Sequence, residues 1–540
     1  MVYFGPSKGC QLCRKRRVKK HREWEIAVLN FNDDESRGIT FNDDASRGLT
    51  LNDKADRFLV DYWDYGSIYP SFQQQSVDSD FESLSYFFTN CLSPPREVHT
   101  HLFVESCFPL YASSPPDSPL RHATLAVATV CLEFKRTWRP HTVAAQRHWA
   151  KAVSTTRNAI LNPVLARSDE ILAAIFMLDF YEGLVRRYVK LNSNAEIHQR
   201  AAMAVVSARG LPDPTSESSQ RLFSALRTKH VMLHFQTGRR VADFHEMLFD
   251  AHRWPISRLD SVIADMANLS ADIREYGFGD SKYGGTYHQR CVEIIAQLRA
   301  WRQSIPRSWE ACAIDQHQLH PTITAAGIYE GLCDVYSTHT VAQMMNFWRV
   351  LSLTALRLLS QLGPASQAPS ITTEIQVIVD EICASVPFHL GNRMTYHTEN
   401  TSLHYPIVPP WLAFQTAYVD AAGQPTTPTA TDHIRNAIFK GAWLILTPLC
   451  TLMDFSRPPV GHGASLLPPI KLRAGQLEWI EAQCRRAHLV TAVPWPYGSA
   501  PLVSIVGSLS TTPTWGSVVV APTSAQESTS DGYEGSDGEE

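Results

Sequence analysis

The stretch ILAAIFMLDFYEGL (residues 171–184) is apolar on almost every side of a helix. A helix of this kind belongs inside a core, so the stretch predicts a central buried helix. Ser168 stands where the N-cap of that helix is expected. Asp169 and Glu170 follow in the first turn, where carboxylates interact favourably with the helix dipole.

Apolar residues at helical spacing continue on both sides of this helix. Before it, one pattern begins at Phe81 and stops at Pro94 and Pro95, and two more helices are predicted within 114–134 and 141–160. After it, helical patterns recur at 193–209, 219–236, 258–273, 285–302, 322–362, 371–388, 431–456 and 473–488. The alternation typical of strands is rare. The predicted fold class is all-α, a large helical array with proline-rich loops over residues 79–500.

Composition sets the broad class of the protein. The chain has 540 residues, a formal net charge of −4 and 44% apolar residues, which is ordinary for a chain with a core. The 11 cysteines show no pairing rhythm beyond Cys10 and Cys13. This favours a reducing compartment, with the later cysteines acting as small buried hydrophobes. No apolar stretch reaches the length that spans a bilayer, so no membrane partner is predicted.

The segment SKGCQLCRKRRVKKHR (7–22) joins two cysteines to a dense basic run. The basic residues of the run are Arg14, Lys15, Arg16, Arg17, Lys19, Lys20 and Arg22. Such a run indicates a nuclear-import signal or a nucleic-acid patch, and attraction to phosphates needs only charge. A closed zinc site needs four nitrogen or sulfur ligands, so Cys10 and Cys13 by themselves predict free thiols in a flexible basic arm.

This segment resembles the opening of a fungal binuclear zinc-cluster (Zn2Cys6) domain, whose pattern begins C-x2-C-R-x-R-x-x-K-C. The resemblance implies that Cys10 and Cys13 are metal ligands. It stops at Lys20, which stands where the third cysteine belongs, and the next cysteine is Cys91. His21 could offer a third ligand, and no fourth is evident. Residues 1–25 are therefore interpreted as a degenerate zinc-cluster stub, and zinc is predicted as a cofactor only if the true transcript completes the cluster.

The resemblance also implies which side chains meet DNA. The predicted DNA-binding residues are Arg14, Lys15, Arg16, Arg17, Lys19 and Lys20. By position, Arg16 and Arg17 match the pair that reads base edges, and Arg14, Lys15 and Lys19 lie nearer the phosphates. Members of the family often dimerise on paired CGG-type triplets, with dimer geometry setting the half-site spacing. No heptad run follows the stub in this chain, so the sequence does not support a dimer.

A second resemblance covers residues 80 to 490. Five blocks, in the expected order, look like parts of the fungal-specific regulatory region that accompanies zinc-cluster domains. The blocks are ESLSYFFTNCLSPP (82–95), SPLRHATLAVATVCL (118–132), LFSALRTKHVMLHFQTGR (222–239), DEICASVPFHLG (380–391) and GAWLILTPLCTLMD (441–454). The resemblance implies an all-helical regulatory domain that senses a small-molecule effector or contacts co-regulators.

The segments at either end of this region have biased compositions. Residues 26–78 form a predicted flexible linker with decapeptide repeats, FNDDESRGIT (31–40), FNDDASRGLT (41–50) and LNDKADRFLV (51–60). A mis-called splice boundary near residue 20 would explain both this insert and the missing cysteines. Residues 501–540 are rich in serine and glycine and end acidic, which predicts a disordered tail.

Motifs of the common enzyme classes are missing from the sequence. There is no Walker A loop, no G-x-G-x-x-G after a strand, no G-x-S-x-G elbow and no H-E-x-x-H helix. His230 and His234 are four residues apart and could form a metal pair, although core or surface histidines are the commoner interpretation. Asp179 and Glu182 lie on or beside the most apolar helix, where a buried carboxylate could be functional, but one-turn ion pairing or exposure of that edge is the simpler account. No enzyme is predicted.

Together these features predict a nuclear fungal regulator of RNA polymerase II-type transcription with impaired zinc-cluster DNA binding. The predicted partners are DNA, which is bound specifically only if the cluster is intact, and co-regulators or a small-molecule effector. The alternative is a helical co-regulator or ligand sensor that makes no specific contact with DNA. An enzyme on a helical scaffold would instead require a polar cluster lining a deep pocket.

Overall fold

The computed structural model describes residues 79–92, 95–100, 103–137, 142–186, 196–210, 212–213, 215–241, 254–277, 284–395, 402–420, 423–457, 467 and 469–493. Most of these residues are helical, which confirms the all-α prediction. The α-helices are α1 (Ser79–Phe87), α2 (Phe103–Ser113), α3 (Pro119–Thr137), α4 (Val143–Ile160), α5 (Asp169–Arg186), α6 (Glu196–Arg209), α7 (Glu217–Thr237), α8 (Leu259–Tyr276), α9 (Gly284–Ser304), α10 (Pro321–Gly327), α11 (His339–Leu362), α12 (Ala368–Leu390), α13 (Pro410–Phe414), α14 (Ala430–Asn436), α15 (Ala442–Ser456) and α16 (Gln476–Thr491).

Short helical turns and strands connect these helices. The 3-10 helices are Leu165–Arg167, Ile256–Arg258, Arg307–Trp309, Gln316–Gln318 and Ala365–Gln367, and the π-helical turns are Phe88–Leu92 and Ala437–Gly441. The strands are β1 (Arg96–Glu97), β2 (Cys312–Ala313), β3 (Asp334–Val335), β4 (Tyr418–Val419) and β5 (Pro425–Thr426). All pairings are antiparallel: β1 with β4, β4 with β5, and β2 with β3.

Helix α5 lies at the centre of a first hydrophobic core, as its sequence predicts. This first core is the cluster of buried apolar residues between Phe87 and Leu226. Every residue of α5 from Ile171 to Leu178 is buried. Ser168 Oγ accepts a hydrogen bond from the backbone amide of Ile171 at 3.3 Å, so the predicted cap is present.

Helix α7 is shared between the first core and a second one. The second core is the cluster of buried apolar residues between Val231 and Val493. In the first half of α7, Leu222 and Leu226 belong to the first core, and in its second half Val231 and Phe235 belong to the second. One continuous helix therefore links the two clusters.

A buried ion pair lies where α7 passes from one core to the other. Arg227 Nε donates to Asp260 Oδ2 of α8 at 2.6 Å, and the two side chains are 1% and 0% exposed. Thr228 Oγ1 donates to the other carboxylate oxygen at 2.9 Å. Burial raises the pKa of Asp260 to about 6, and the attraction of Arg227 opposes that rise. The carboxylate therefore depends on these partners for its charge.

Strand β1 fastens the start of the described chain to the second core. Glu97 of β1 is completely buried and accepts a hydrogen bond from Trp309 Nε1 at 3.2 Å. Burial raises the pKa of Glu97 to about 7, and the hydrogen bond from Trp309 opposes part of that rise. β1 pairs with β4, placing Glu97 opposite Tyr418.

The prediction of one helical run over residues 322–362 is wrong in its middle part. Helix α10 ends at Gly327, whose φ is +111°, and the turn that follows places Glu330 and Gly331 at φ values of 48° and 75°. A helix cannot continue through such left-handed residues. Strand β3 then intervenes, and Thr338 caps α11 by accepting from the amide of Val341 at 3.1 Å.

One helix among the described residues is long and apolar enough to cross a membrane, whereas the sequence pattern predicted no stretch of that length. Helix α14, the π-helical turn and α15 run on as a continuous 27-residue helix, Ala430–Ser456, with a mean hydropathy of 1.3 in its most apolar window. By length and composition it could cross a membrane, but 61% of that window is buried inside the protein. Burial of this kind is expected of a core helix, and α15 is part of the second core.

Candidate functional site

The residues that the sequence assigns to metal and DNA binding all lie outside the described residues, which begin at 79. They are Cys10, Cys13, Arg14, Lys15, Arg16, Arg17, Lys19 and Lys20. Their roles therefore remain predictions.

The second core contains a polar centre between α11, α12 and the end of α14. Its side chains are polar groups that the fold carries into an otherwise apolar interior. They are Tyr336, His339, Asn346, Arg349, Ser385, His389 and His433. Because an unpaired polar group in an apolar interior is costly, a concentration of them suggests either a structural network or a binding site.

Arg349 organises one side of the polar centre. Its side chain is 3% exposed and donates to Glu381 Oε2 at 2.8 Å, to the Tyr336 hydroxyl at 2.9 Å and to Asn346 Oδ1 at 2.8 Å. Asn346 in turn donates to Ser385 Oγ at 3.0 Å. These contacts join α11 to α12 through charge-assisted hydrogen bonds, which are stronger than neutral ones. This side of the polar centre is a satisfied structural network.

The other side of the polar centre is built from three histidines around Phe388. The His339 ring stacks on Phe388 with centroids 4.4 Å apart, and its Nε2 donates to the Phe388 carbonyl at 3.2 Å. The rings of His389 and His433 lie 5.7 Å and 5.3 Å from His339. Burial lowers the pKa of His389 to about 3 and that of His433 to about 4, and it lowers the pKa of His339 well below its usual value. All three imidazoles are therefore neutral at physiological pH.

Ring nitrogens in this trio lack full hydrogen-bond geometry with any described residue. They are His339 Nδ1, His389 Nδ1, His389 Nε2 and His433 Nε2. Burial lowers the pKa of His389, and an interaction with the backbone of Gly441 opposes that fall. Buried nitrogens of this kind can accept or donate hydrogen bonds to a small polar molecule.

The π-helical turn Ala437–Gly441 lies over the histidines. Lys440 donates to Thr340 Oγ1 at 3.3 Å, and its charge lowers the pKa values of His339 and His433. A Cβ on Gly441 would stand 2.3 Å from the carbonyl oxygen of His389, so only glycine allows this approach. π-Helical turns within α-helices are frequent at functional sites.

The buried histidines predict a loss of stability in acid. A histidine whose pKa is lower in the folded chain than in the unfolded chain favours unfolding as soon as the unfolded chain takes up a proton. The free energy of unfolding is therefore highest above about pH 6.5 and falls as the pH decreases. For His389, with a folded pKa of about 3, lowering the pH from 7 to 5 should remove on the order of 2 kcal/mol. In a His389→Gln variant, the fall in unfolding free energy between about pH 7 and pH 5 should be smaller than in the parent by that amount. Denaturant unfolding at each pH measures the difference. An equal pH dependence in the variant would contradict the assignment.

A second group of functional side chains, the thiol–imidazole cluster, joins α15 to α16. It comprises Cys450, Cys484 and His488, all buried. Cys450 Sγ lies 3.6 Å from Cys484 Sγ and 3.7 Å from His488 Nε2. Burial of the later cysteines was predicted, and Cys107, Cys131, Cys291, Cys312, Cys333, Cys383, Cys450 and Cys484 are indeed buried or half-buried. Their convergence with a histidine was not predicted.

The carboxylates and histidines that the sequence analysis singled out contact different partners in the structure. Asp179 pairs with Lys229 of α7, and Glu182, which is 4% exposed, lies 2.7 Å from His198 Nε2 of α6. The sequence favoured one-turn pairing or exposure for the two carboxylates, and the structure instead pairs each with a residue of another helix. His230 and His234 have ring centroids 4.5 Å apart. Among the described residues no further histidine, cysteine or carboxylate completes a metal group with them.

Sequence signals for the two sites were partial. Cys484 and His488 stand four residues apart, the spacing that puts two ligands on one face of a helix. Cys450 is 34 residues earlier, and no local pattern links it to them. The three histidines of the polar centre come from three different elements, so only the tertiary fold brings them together.

Comparison with known proteins bears on the first core. The family model described as "Fungal specific transcription factor domain" matches residues 84–250. No curated protein and no solved structure matches the chain significantly. The match points to a regulator rather than an enzyme and implies a nuclear function. Over this stretch the chain is similar to the fungal-specific transcription factor domain, which supports a fungal transcription factor.

Proposed function

We propose that the chain is a nuclear regulator of RNA polymerase II transcription in a fungus, with residues 79–500 as its regulatory region. The observation that carries this proposal is the family match over residues 84–250. The matched residues include every buried side chain of the first core, from Phe87 to Leu226. The similarity therefore extends over one complete packed cluster.

The basic run is the proposed DNA contact. Arg16 and Arg17 are the proposed base-reading pair, and Arg14, Lys15, Lys19 and Lys20 are proposed to attract phosphates. Binding through phosphates alone is salt-dependent and has little sequence preference. We therefore propose weak DNA binding for the chain with this sequence, and tighter, specific binding only for a form with a complete zinc cluster.

The donor set near the N-terminus does not fit a binuclear zinc centre. Such a centre needs six thiolates in the family that this segment resembles, and Cys10 and Cys13 supply two. Lys20 would place an ammonium group where a thiolate should neutralise the metal. No step of the proposed function is therefore assigned to zinc at this segment.

The second candidate function is a co-regulator or ligand sensor without specific DNA contact. Two observations favour it: the incomplete zinc cluster, and the buried ring nitrogens of the polar centre that lack full hydrogen-bond geometry with the described residues. Neutral imidazoles beside Lys440 would suit a small polar or anionic effector. Dimerisation is not part of either proposal.

The test of the proposed function begins with the messenger RNA. Sequencing the mature transcript across the codons for residues 15–80 shows whether cysteines follow Cys13. The full chain, tagged at its own locus, is then followed by nuclear imaging, chromatin immunoprecipitation and RNA sequencing. We expect nuclear accumulation, with discrete chromatin occupancy if the transcript restores the missing cysteines and weak, broadly distributed occupancy if it does not. A chain that stays outside the nucleus and whose deletion leaves transcription unchanged would contradict the proposal.

A charge-matched pair of variants separates the two candidate functions. Arg16→Ala with Arg17→Ala should abolish occupancy if this segment contacts DNA, because those side chains supply the proposed base contacts. Arg299→Ala with Arg302→Ala, on the surface of α9, removes the same charge elsewhere and should leave occupancy unchanged. Occupancy that survives both changes would favour the co-regulator.

A further inference from the structure

We propose that the thiol–imidazole cluster is a zinc site, held by Cys450 Sγ, Cys484 Sγ and His488 Nε2, that fastens α15 to α16. The three ligand atoms lie within 4.8 Å of one another, and no other such group occurs among the described residues. This site is separate from the zinc cluster that the N-terminal segment resembles. Thiolate and imidazole ligands are the set that zinc prefers in structural sites.

The distances fit a tetrahedral zinc ion. Zn–S bonds of about 2.3 Å and Zn–N bonds of about 2.0–2.1 Å place two sulfurs about 3.8 Å apart, and sulfur and nitrogen about 3.6 Å apart. The cluster has 3.6 Å between the two sulfurs and 3.7 Å between Cys450 Sγ and His488 Nε2. A disulfide would instead need the sulfurs at about 2.05 Å. The two distances from Cys450 Sγ therefore match a tetrahedral metal centre, and the third ligand pair lies within 4.8 Å.

The His488 ring is fixed in the tautomer that a metal requires. His488 Nδ1 lies 3.0 Å from the carbonyl oxygen of Val493, and a carbonyl only accepts, so Nδ1 carries the proton. Nε2 then presents its lone pair toward Cys450. Metal-binding histidines almost always donate their other ring N–H to a carbonyl or carboxylate in this way.

The backbone after α16 is shaped to supply that carbonyl. Ala492 has φ of 51°, one of two non-glycine residues at positive φ in the described part of the chain. The chain reverses there, and the amide of Val493 donates to the His488 carbonyl at 3.1 Å. A left-handed alanine is strained, and such strain tends to persist where the surroundings use it. Here it brings the Val493 carbonyl against the imidazole.

Charged side chains of both signs lie near the cluster, and the buried Arg357 also interacts with the nearby Asp454. Asp454 lies one helical turn after Cys450, and its carboxylate places a negative charge near the cluster. Arg457 acts in the opposite sense but is paired with Glu481 at 2.8 Å. Binding one zinc ion would release the two thiol protons and leave two thiolates on the metal. A water molecule would take the fourth position, because Cys450, Cys484 and His488 are the ligands that converge among the described residues.

The test uses the full chain with Cys10→Ser and Cys13→Ser, so that the N-terminal thiols cannot hold metal. After purification in metal-free buffer, elemental analysis should find about one zinc per chain. Adding Cys450→Ser and Cys484→Ser should reduce the zinc content at least tenfold. The matched control, Cys107→Ser with Cys291→Ser, removes two other buried thiols and should keep the metal. Absence of zinc from the parent, or its retention without Cys450 and Cys484, would overturn the proposal.

A titration of the metal-stripped parent avoids dependence on a variant that fails to fold. Added cobalt(II) should produce thiolate-to-cobalt charge-transfer absorption, which an equal amount of zinc should remove. Apparent affinity should rise with pH, because binding displaces thiol protons. The proposal would be overturned if the metal-stripped protein showed no charge-transfer absorption with cobalt(II). It would also be overturned if Cys450 and Cys484 formed a disulfide in protein purified under reducing conditions.

Discussion

An Asp260→Ala variant should lose about 3–5 kcal/mol of unfolding free energy, because removing one partner of a buried ion pair leaves the other charge uncompensated. Arg227 and Asp260 are 1% and 0% exposed, so water cannot replace the missing carboxylate. The loss is large against the 5–15 kcal/mol that typically stabilises a native protein. Denaturant unfolding, followed by tryptophan fluorescence at pH 7, measures it directly.

A double replacement separates the lost charge pair from the lost packing. Arg227→Met with Asp260→Leu removes both charges and fills the space with apolar groups. Buried ion pairs replaced in this way are often neutral or stabilising. We therefore expect the double variant to recover most of the stability that Asp260→Ala loses. If Asp260→Ala costs less than about 1 kcal/mol, the side chains are not isolated from water as described.

A Phe176→Ala variant should be destabilised by about 3–5 kcal/mol, the usual cost of truncating a buried aromatic ring. Phe176 is 2% exposed and lies on the central helix α5. Its ring packs edge-on against Phe103 with centroids 5.3 Å apart. The lysine ammonium of Lys229 lies 5.5 Å from the centroid of the same ring. Truncation would remove all these contacts and leave a cavity between α2, α5 and α7.

The chain offers a matched control for this change. Phe414, on α13, is 80% exposed. Phe414→Ala makes the same chemical change at the surface and should alter stability by no more than about 0.5 kcal/mol. Thermal unfolding of the two variants side by side gives the comparison. Similar melting temperatures for both variants would place Phe176 outside the core.

The sequence predicted the helices well where one local pattern was enough. Helix α5 is apolar on all sides and lies in the core, and its cap at Ser168 could be identified from residue type and position. The error over residues 322–362 has a backbone cause. Glu330 adopts a left-handed conformation that is not expected of a glutamate, and a short strand separates it from α11.

The candidate sites were harder to predict because their parts are far apart in sequence. Arg227 and Asp260 are separated by 33 residues, and His339 and His389 lie on different helices. A pattern along the chain shows that a residue is polar but not which residue will face it after folding. The predicted basic segment is different, because all of its charged residues are neighbours in the sequence. Its charge density can therefore be identified without knowledge of the fold.

The sharing of α7 has a consequence for how such proteins can be divided and recombined. The family match ends at residue 250, after α7 but before its partner α8. A protein cut there would expose Val231 and Phe235 and would leave Arg227 without Asp260. We expect the recognisable segment to misfold when transplanted alone into another regulator. A segment chosen for transfer into another protein would therefore have to reach at least to α8.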